Sequence, residues 1–85
     1  MQRQRVVAVT TTSAAASGRG SGYVVGPRLV LTSAHVTGPT GSPVEVFHPG
    51  HPQTYHGHVV WSGTPGGRDD AALVVIDDPA WRPPP

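Results

Sequence analysis

The sequence predicts an all-β fold, and three observations carry that reading. Val occurs 13 times and Leu three times among the 85 residues, and β-branched side chains suit a pleated surface better than a helix. Beyond the N-terminal 17 residues, no stretch free of Gly and Pro exceeds 11 residues, whereas a packed helix needs an uninterrupted run of about 10 or more. Finally, 21 residues are Gly or Pro. They fall between apolar runs and form no repeat, which is how turns of a β domain read.

Six extended segments follow in order: Arg5–Thr10, Gly20–Val25, Arg28–Thr32, Pro43–His48, Tyr55–Ser62 and Ala71–Asp77. The Val6–Val9 patch after the basic N-terminus is shorter than the roughly 7 to 15 residues of an export h-region, so it reads as a strand. The expectation from that missing signal is a cytoplasmic protein. Gly26-Pro27 is a turn dipeptide between two apolar runs, which predicts an antiparallel hairpin from the second and third segments. Gly38–Pro43 and Ser62–Gly67 are longer loops of the same chemistry. Six short strands so joined form a small antiparallel barrel or sandwich. After Asp78 the chain turns Pro-rich; Pro79 and Pro83–Pro85 lack the donors a sheet requires. The division predicted is therefore a domain over 1–78 and a linker or tail over 79–85, with Trp81 available to dock on another surface.

Composition excludes several functions. The formal net charge is +1 and 13% of residues are charged, too weak a field to recruit nucleic acid or anionic lipid. No stretch approaches the roughly 18 apolar residues of a membrane span. Without Cys, there is no disulfide, thiolate zinc site or cysteine nucleophile. A chain this short buries only roughly 60 to 65% of its unfolded surface, so a covering partner would add stability it otherwise lacks.

Two places carry groups suited to chemistry. His35 follows the apolar run Leu29–Ala34, which fixes the backbone while leaving the ring at a strand exit, as a general base requires. In the stretch RDDAALVVID, an acidic residue directly precedes an apolar strand, with the small Ala71 and Ala72 leaving room beside it. A carboxylate there suits a partner for the Nδ1 proton of a histidine, fixing its tautomer and stabilising the imidazolium.

The pairing of GSGYVVGPRLVLTSAHV with DDAALVVID resembles the N-terminal half of the chymotrypsin-like (trypsin-like) serine proteases, and most closely their bacterial members. In that family a Gly-Ser-Gly-hydrophobic strand leads through a hairpin to a Leu-Thr-Ala-Ala-His strand end that bears the catalytic base. The match is Leu31-Thr32-Ser33-Ala34-His35, with Ser33 departing from the pattern. The resemblance implies a six-stranded antiparallel barrel, the first half of a double β-barrel, with His35 as general base and Asp70, ahead of Ala71-Ala72-Leu73, as its orienting carboxylate. Asp69 fits that register one residue worse. The 35-residue separation of His35 and Asp70 implies shortened loops.

The family's nucleophile lies in a Gly-Asp-Ser-Gly-Gly-like loop on a second barrel, which these 85 residues do not contain. The expectation is a peptidase half, inactive alone, that acts on polypeptide once a complementary half joins it, or that self-associates. The alternative is a non-catalytic half-barrel module that binds a complementary subunit through an uncovered edge.

Other residues read as structural. Ser21, in Gly20-Ser21-Gly22, falls on the strand signature and not in a nucleophile loop; Ser33 and Ser62 have no better claim. Asp69, Asp77 and Asp78 read as solvated turn acids. His48, His51, His56 and His58 lie close in sequence, and such a cluster suits zinc or nickel. Pro49 and Pro52 break regular ligand spacing, however, and no Asp, Glu or Cys joins the cluster in sequence, so no metal site is expected. Gly18–Gly22 lacks the Lys and following helix of a phosphate loop. No cofactor is predicted.

Overall fold

Alternation of buried valines with outward side chains sets the architecture seen in the computed structural model, which describes residues 5–11 and 18–83. The strands are β1 (Val6–Thr11), β2 (Arg19–Gly26), β3 (Leu29–Thr32), β4 (Pro43–Phe47), β5 (Tyr55–Ser62) and β6 (Ala72–Ile76). They close into a barrel in the order β1-β2-β3-β6-β5-β4, every pairing antiparallel. Each strand therefore has two ladder partners. Among the described residues the closed circuit leaves no free edge, and closure is what removes an edge from an antiparallel sheet.

Side chains alternate across each strand, so Val7 and Val9, Val24, Val30, Val44 and Val46, Val59, Val74 and Ile76 all point inward and are buried. Nine of the 13 valines line this core. Such short, branched side chains fill the narrow interior of a six-stranded barrel with little χ1 freedom to lose. Gly22 and Gly57 supply inward positions where a Cβ would meet Val30 at 2.7 Å and the Val75 carbonyl oxygen at 2.6 Å. Register shifts between Val24 and Gly26 and between Val59 and Trp61 bend β2 and β5 around the barrel, as bulges do.

The six segments read from sequence agree with the strands to within two residues at every end. One element was not expected: α1 (Ala34–Thr37), a single helical turn directly after β3. It is far too short to cross a membrane.

The C-terminal segment departs from expectation as well. Trp81 does not await another surface; it is 2% exposed and part of the core of its own barrel. Its indole Nε1–H donates to the Pro27 carbonyl at 2.8 Å, and its ring stacks on His48 and meets Tyr55 edge-on. Arg28 fastens the same segment, donating from one guanidinium nitrogen to the carbonyls of Ile76 and Asp78 at 3.0 and 2.9 Å. Proline prevents this segment from joining the sheet, yet it does not prevent an aromatic ring from covering the barrel's open end, where burial of indole surface is strongly favourable. The expectations for residues 1–4 and for Pro84 and Pro85 lie outside the described residues.

Candidate active site

The β3–β6 ladder brings the two sequence motifs to one end of the barrel. Thr32 pairs with Ala72 at the last rung. His35 leaves β3 three residues beyond that rung, and Asp70 enters β6 two residues before it. Antiparallel pairing thus makes a 35-residue separation a local contact.

On the His35 side, Ser33 is extended (φ −92°, ψ 139°) and the chain then turns into α1. Ala34, Val36 and Thr37 are buried, so three of the four helical residues face the barrel and His35 alone faces solvent. Thr11 Oγ1 donates to the Val36 carbonyl, tying α1 to the end of β1. Gly18 permits this packing, since a Cβ there would overlap the Val36 carbonyl. The turn ends at Gly38, whose N–H donates to the Ala34 carbonyl at 3.1 Å with φ at 81°, a conformation glycine adopts without strain.

On the Asp70 side, the loop after β5 is knitted by backbone bonds. The Gly63 N–H donates to the Ala71 carbonyl at 2.8 Å, and the Gly67 N–H to Thr64 at 2.9 Å. Asp69, read from sequence as a turn acid, is exposed and accepts the Thr64 N–H at 3.2 Å. Gly63 cannot carry a side chain here: its Cβ would overlap the Asp69 carbonyl oxygen. That close approach fixes the backbone just before Asp70. No feature of the sequence distinguished Gly63 from the other loop glycines.

His35 and Asp70 meet through two hydrogen bonds. The ring Nδ1 lies 2.6 Å from Asp70 Oδ2, and the His35 backbone N–H donates to Oδ1 at 2.9 Å. An ionised carboxylate accepts only, so the ring carries its proton on Nδ1 and keeps a lone pair on Nε2. The two bonds from His35, with a further one from the Gly66 N–H, hold the Asp70 carboxyl below its usual range, against a smaller opposing effect of burial. The His35 side chain is 61% exposed and that of Asp70 21%, so the acid sits behind the ring and the ring faces outward. The arrangement can accept a proton at Nε2 and stabilise the resulting imidazolium. Among the described residues, no hydroxyl is hydrogen-bonded to His35. Ser21 sits in the β1–β2 ladder opposite Ala8, with its carbonyl accepting the Thr32 hydroxyl at 2.8 Å. Ser62 Oγ donates to the Gly63 carbonyl.

The four clustered histidines part company in three dimensions. His48 stacks on Trp81 with His51 edge-on to it, and burial together with the nearby His51 holds the His48 ring below its usual pKa. His56 and His58 instead lie on β5. Asp77, read as a solvated acid, is paired with His58 Nδ1 at 2.9 Å, while Asp78 accepts the Ala80 N–H and shapes the turn into Trp81.

Among solved structures, the chain is similar to the Rv3671c protease crystallised in an inactive form, with a TM-score of 0.66 and 27% sequence identity. The match covers 95% of this chain and 36% of that one, so the protein spans about a third of the length of the structure it resembles. No protein-family model matches the sequence, and no curated protein sequence matches it. The six-stranded closed barrel has the architecture of one half of a trypsin-like double barrel.

Proposed function

We propose that this chain is the base-bearing half of a trypsin-like serine endopeptidase, with His35 as general base and Asp70 as its orienting carboxylate. The observation that carries the reading is the pair of hydrogen bonds from His35 to the two oxygens of Asp70. That pattern fixes tautomer and ring direction together, leaving Nε2 basic and turned to solvent. In the completed site Nε2 would take the proton of a serine hydroxyl as the oxygen attacks a peptide carbonyl. The same nitrogen would then return the proton to the leaving amine.

The serine and the oxyanion donors belong to a second half, without which most of the transition-state stabilisation is missing. The outer face of β2, β3, β6 and β5 supports a place for such a half. Tyr23, Leu31, Leu73 and Trp61 follow one another across the ladders there, and Val25, Leu31, Val60 and Trp61 are exposed. The same apolar face favours the second reading, a non-catalytic module that binds a subunit through the outside of the barrel.

The test has two stages. Alone, the chain is expected to hydrolyse no peptide or ester above background and to take no label from a fluorophosphonate. Co-expression with the part of the Rv3671c protease beyond the matched segment, or fusion to it, is then expected to yield hydrolysis that His35→Ala abolishes. Complex formation with no hydrolysis that depends on His35 would favour the binding module.

A further inference from the structure

A second His–Asp hydrogen bond lies at the opposite end of β6 from the first. His58 Nδ1 is 2.9 Å from Asp77 Oδ2. On β5, His56 and His58 flank the buried Gly57, so both rings stand on the outer face, their Cα atoms about 6.6 Å apart at two residues' rise. The alternation is rigid at this point, because a Cβ on Gly57 would meet the Val75 carbonyl oxygen at 2.6 Å. The strand cannot slip or swap faces without losing that close approach.

The flanking strands bring the carboxylates that the sequence around these histidines lacked. Glu45 of β4 is the ladder partner of His56. On the other side, Gly57 pairs with Ile76 and the Asp77 N–H donates to the His56 carbonyl at 2.9 Å, which places Asp77 beside His56. The bond from His58 to Asp77 therefore runs diagonally toward the row that holds His56. It also fixes the proton of His58 on Nδ1 and leaves Nε2 with a free lone pair. A metal-binding histidine has this arrangement, one nitrogen free to ligate and the other donating to a carboxylate that fixes the ring.

We propose that His56 and His58 form a two-imidazole chelate for a borderline divalent cation, with Asp77 as the carboxylate behind His58. Two neutral nitrogens select Cu2+ over Zn2+ and Ni2+ by the general order of stability, and disfavour Mg2+ and Ca2+, which prefer oxygen. No group of three or more His, Cys, Asp or Glu among the described residues is arranged as a cage, so water completes the coordination. Binding is accordingly weaker and more exchangeable than at a closed four-ligand site. His48 and His51 take no part: His48 stacks on Trp81 and His51 meets His48 edge-on.

Titration of the 85-residue chain with Cu2+, then with Zn2+, tests this by calorimetry, by electron paramagnetic resonance for Cu2+, and by thermal melting. One equivalent of Cu2+ with nitrogen coordination is expected, together with a rise in Tm as metal binds the folded state. His56→Gln and His58→Gln are each expected to weaken binding at least about tenfold, and Asp77→Asn about 10- to 100-fold. The double variant His48→Gln/His51→Gln should bind as the parent does. Binding that survives loss of both His56 and His58, binding lost with His48 and His51, or no shift in Tm with metal in excess would each overturn the proposal. Hydrolysis is not the readout, so the result stands apart from the peptidase reading.

Discussion

Asp70 holds His35 by both carboxylate oxygens, Oδ2 against the ring Nδ1 at 2.6 Å and Oδ1 accepting the backbone N–H at 2.9 Å. One acid thus fixes a ring and the helical turn that bears it. Because these bonds stabilise the ionised form, the Asp70 carboxyl lies below its ordinary value near 3.8. A depressed carboxylate contributes stability that is fully present above the unfolded-state pKa and is lost as pH falls through the folded-state value. That contribution is expected to be present at neutral pH and to be lost as pH falls below the ordinary carboxyl range of about 4, and Asp70→Asn to be less stable at neutral pH with part of that acid sensitivity removed. Denaturation midpoints measured across the range check this; identical pH profiles for the two proteins would contradict it.

Asp70→Asn is also expected to disturb the tautomer of His35, since an amide can present N–H or C=O to Nδ1. In a reconstituted enzyme kcat should drop on the order of ten-thousandfold, because an amide in place of the orienting carboxylate leaves the base in the wrong tautomer. Nitrogen NMR of His35 in the chain alone provides the readout that a purely structural role would not move. A tautomer unchanged by the substitution would count against the proposed role of Asp70.

Trp81→Ala removes the ring that closes one end of the barrel, together with its bond to the Pro27 carbonyl. Truncating a buried Trp typically costs about 3 to 5 kcal/mol, a large share of the roughly 5 to 15 kcal/mol that holds a domain together. Trp81→Phe should lose less, keeping ring contacts with His48 and Tyr55 but no donor to Pro27. Urea unfolding of the two variants is expected to rank them in that order.

Gly63→Ala places a methyl group where the Asp69 carbonyl oxygen sits. Forcing the loop apart is expected to destabilise the fold by about 1 to 3 kcal/mol, as overpacking generally does. It should also displace Asp70, seen as a change in the His35 ring resonances. Alanine at Gly66, where a Cβ meets no atom within 4 Å although φ is 74°, provides a control for backbone strain without the clash.

Leu31→Glu introduces a charge on the outer apolar face while leaving the core intact, since Leu31 is exposed. Stability of the isolated chain should change by no more than about 0.5 kcal/mol. Association with a complementary half should weaken at least about tenfold, measured by sedimentation or calorimetry. Unchanged association would place the contact elsewhere on the barrel.

Much of the fold was legible because the information is local. Val7 and Val9, or Val44 and Val46, announce a half-buried strand by alternation alone, and Gly26-Pro27 announces a reversal between two such runs. The single turn α1 was not legible, since four residues give no helical period and Ser33 offers no side-chain cap. Nor was Trp81: a proline-rich stretch excludes a strand but says nothing about where an aromatic ring will find apolar surface.

The sequence by itself determined which residues form strands, because that depends on side-chain type and short-range spacing, while His35 and Asp70 were singled out as a pair by the resemblance of the two motifs that carry them. Only the tertiary structure decided that the barrel closes without an edge, that His35 sits on a helical turn with its N–H also bound to Asp70, that Trp81 belongs to its own core, and that Asp77 reaches His58. Those facts depend on ladder register and loop closure, which bring together residues 19 to 54 positions apart. Such contacts are fixed by how the whole chain buries its valines, and no local pattern encodes them.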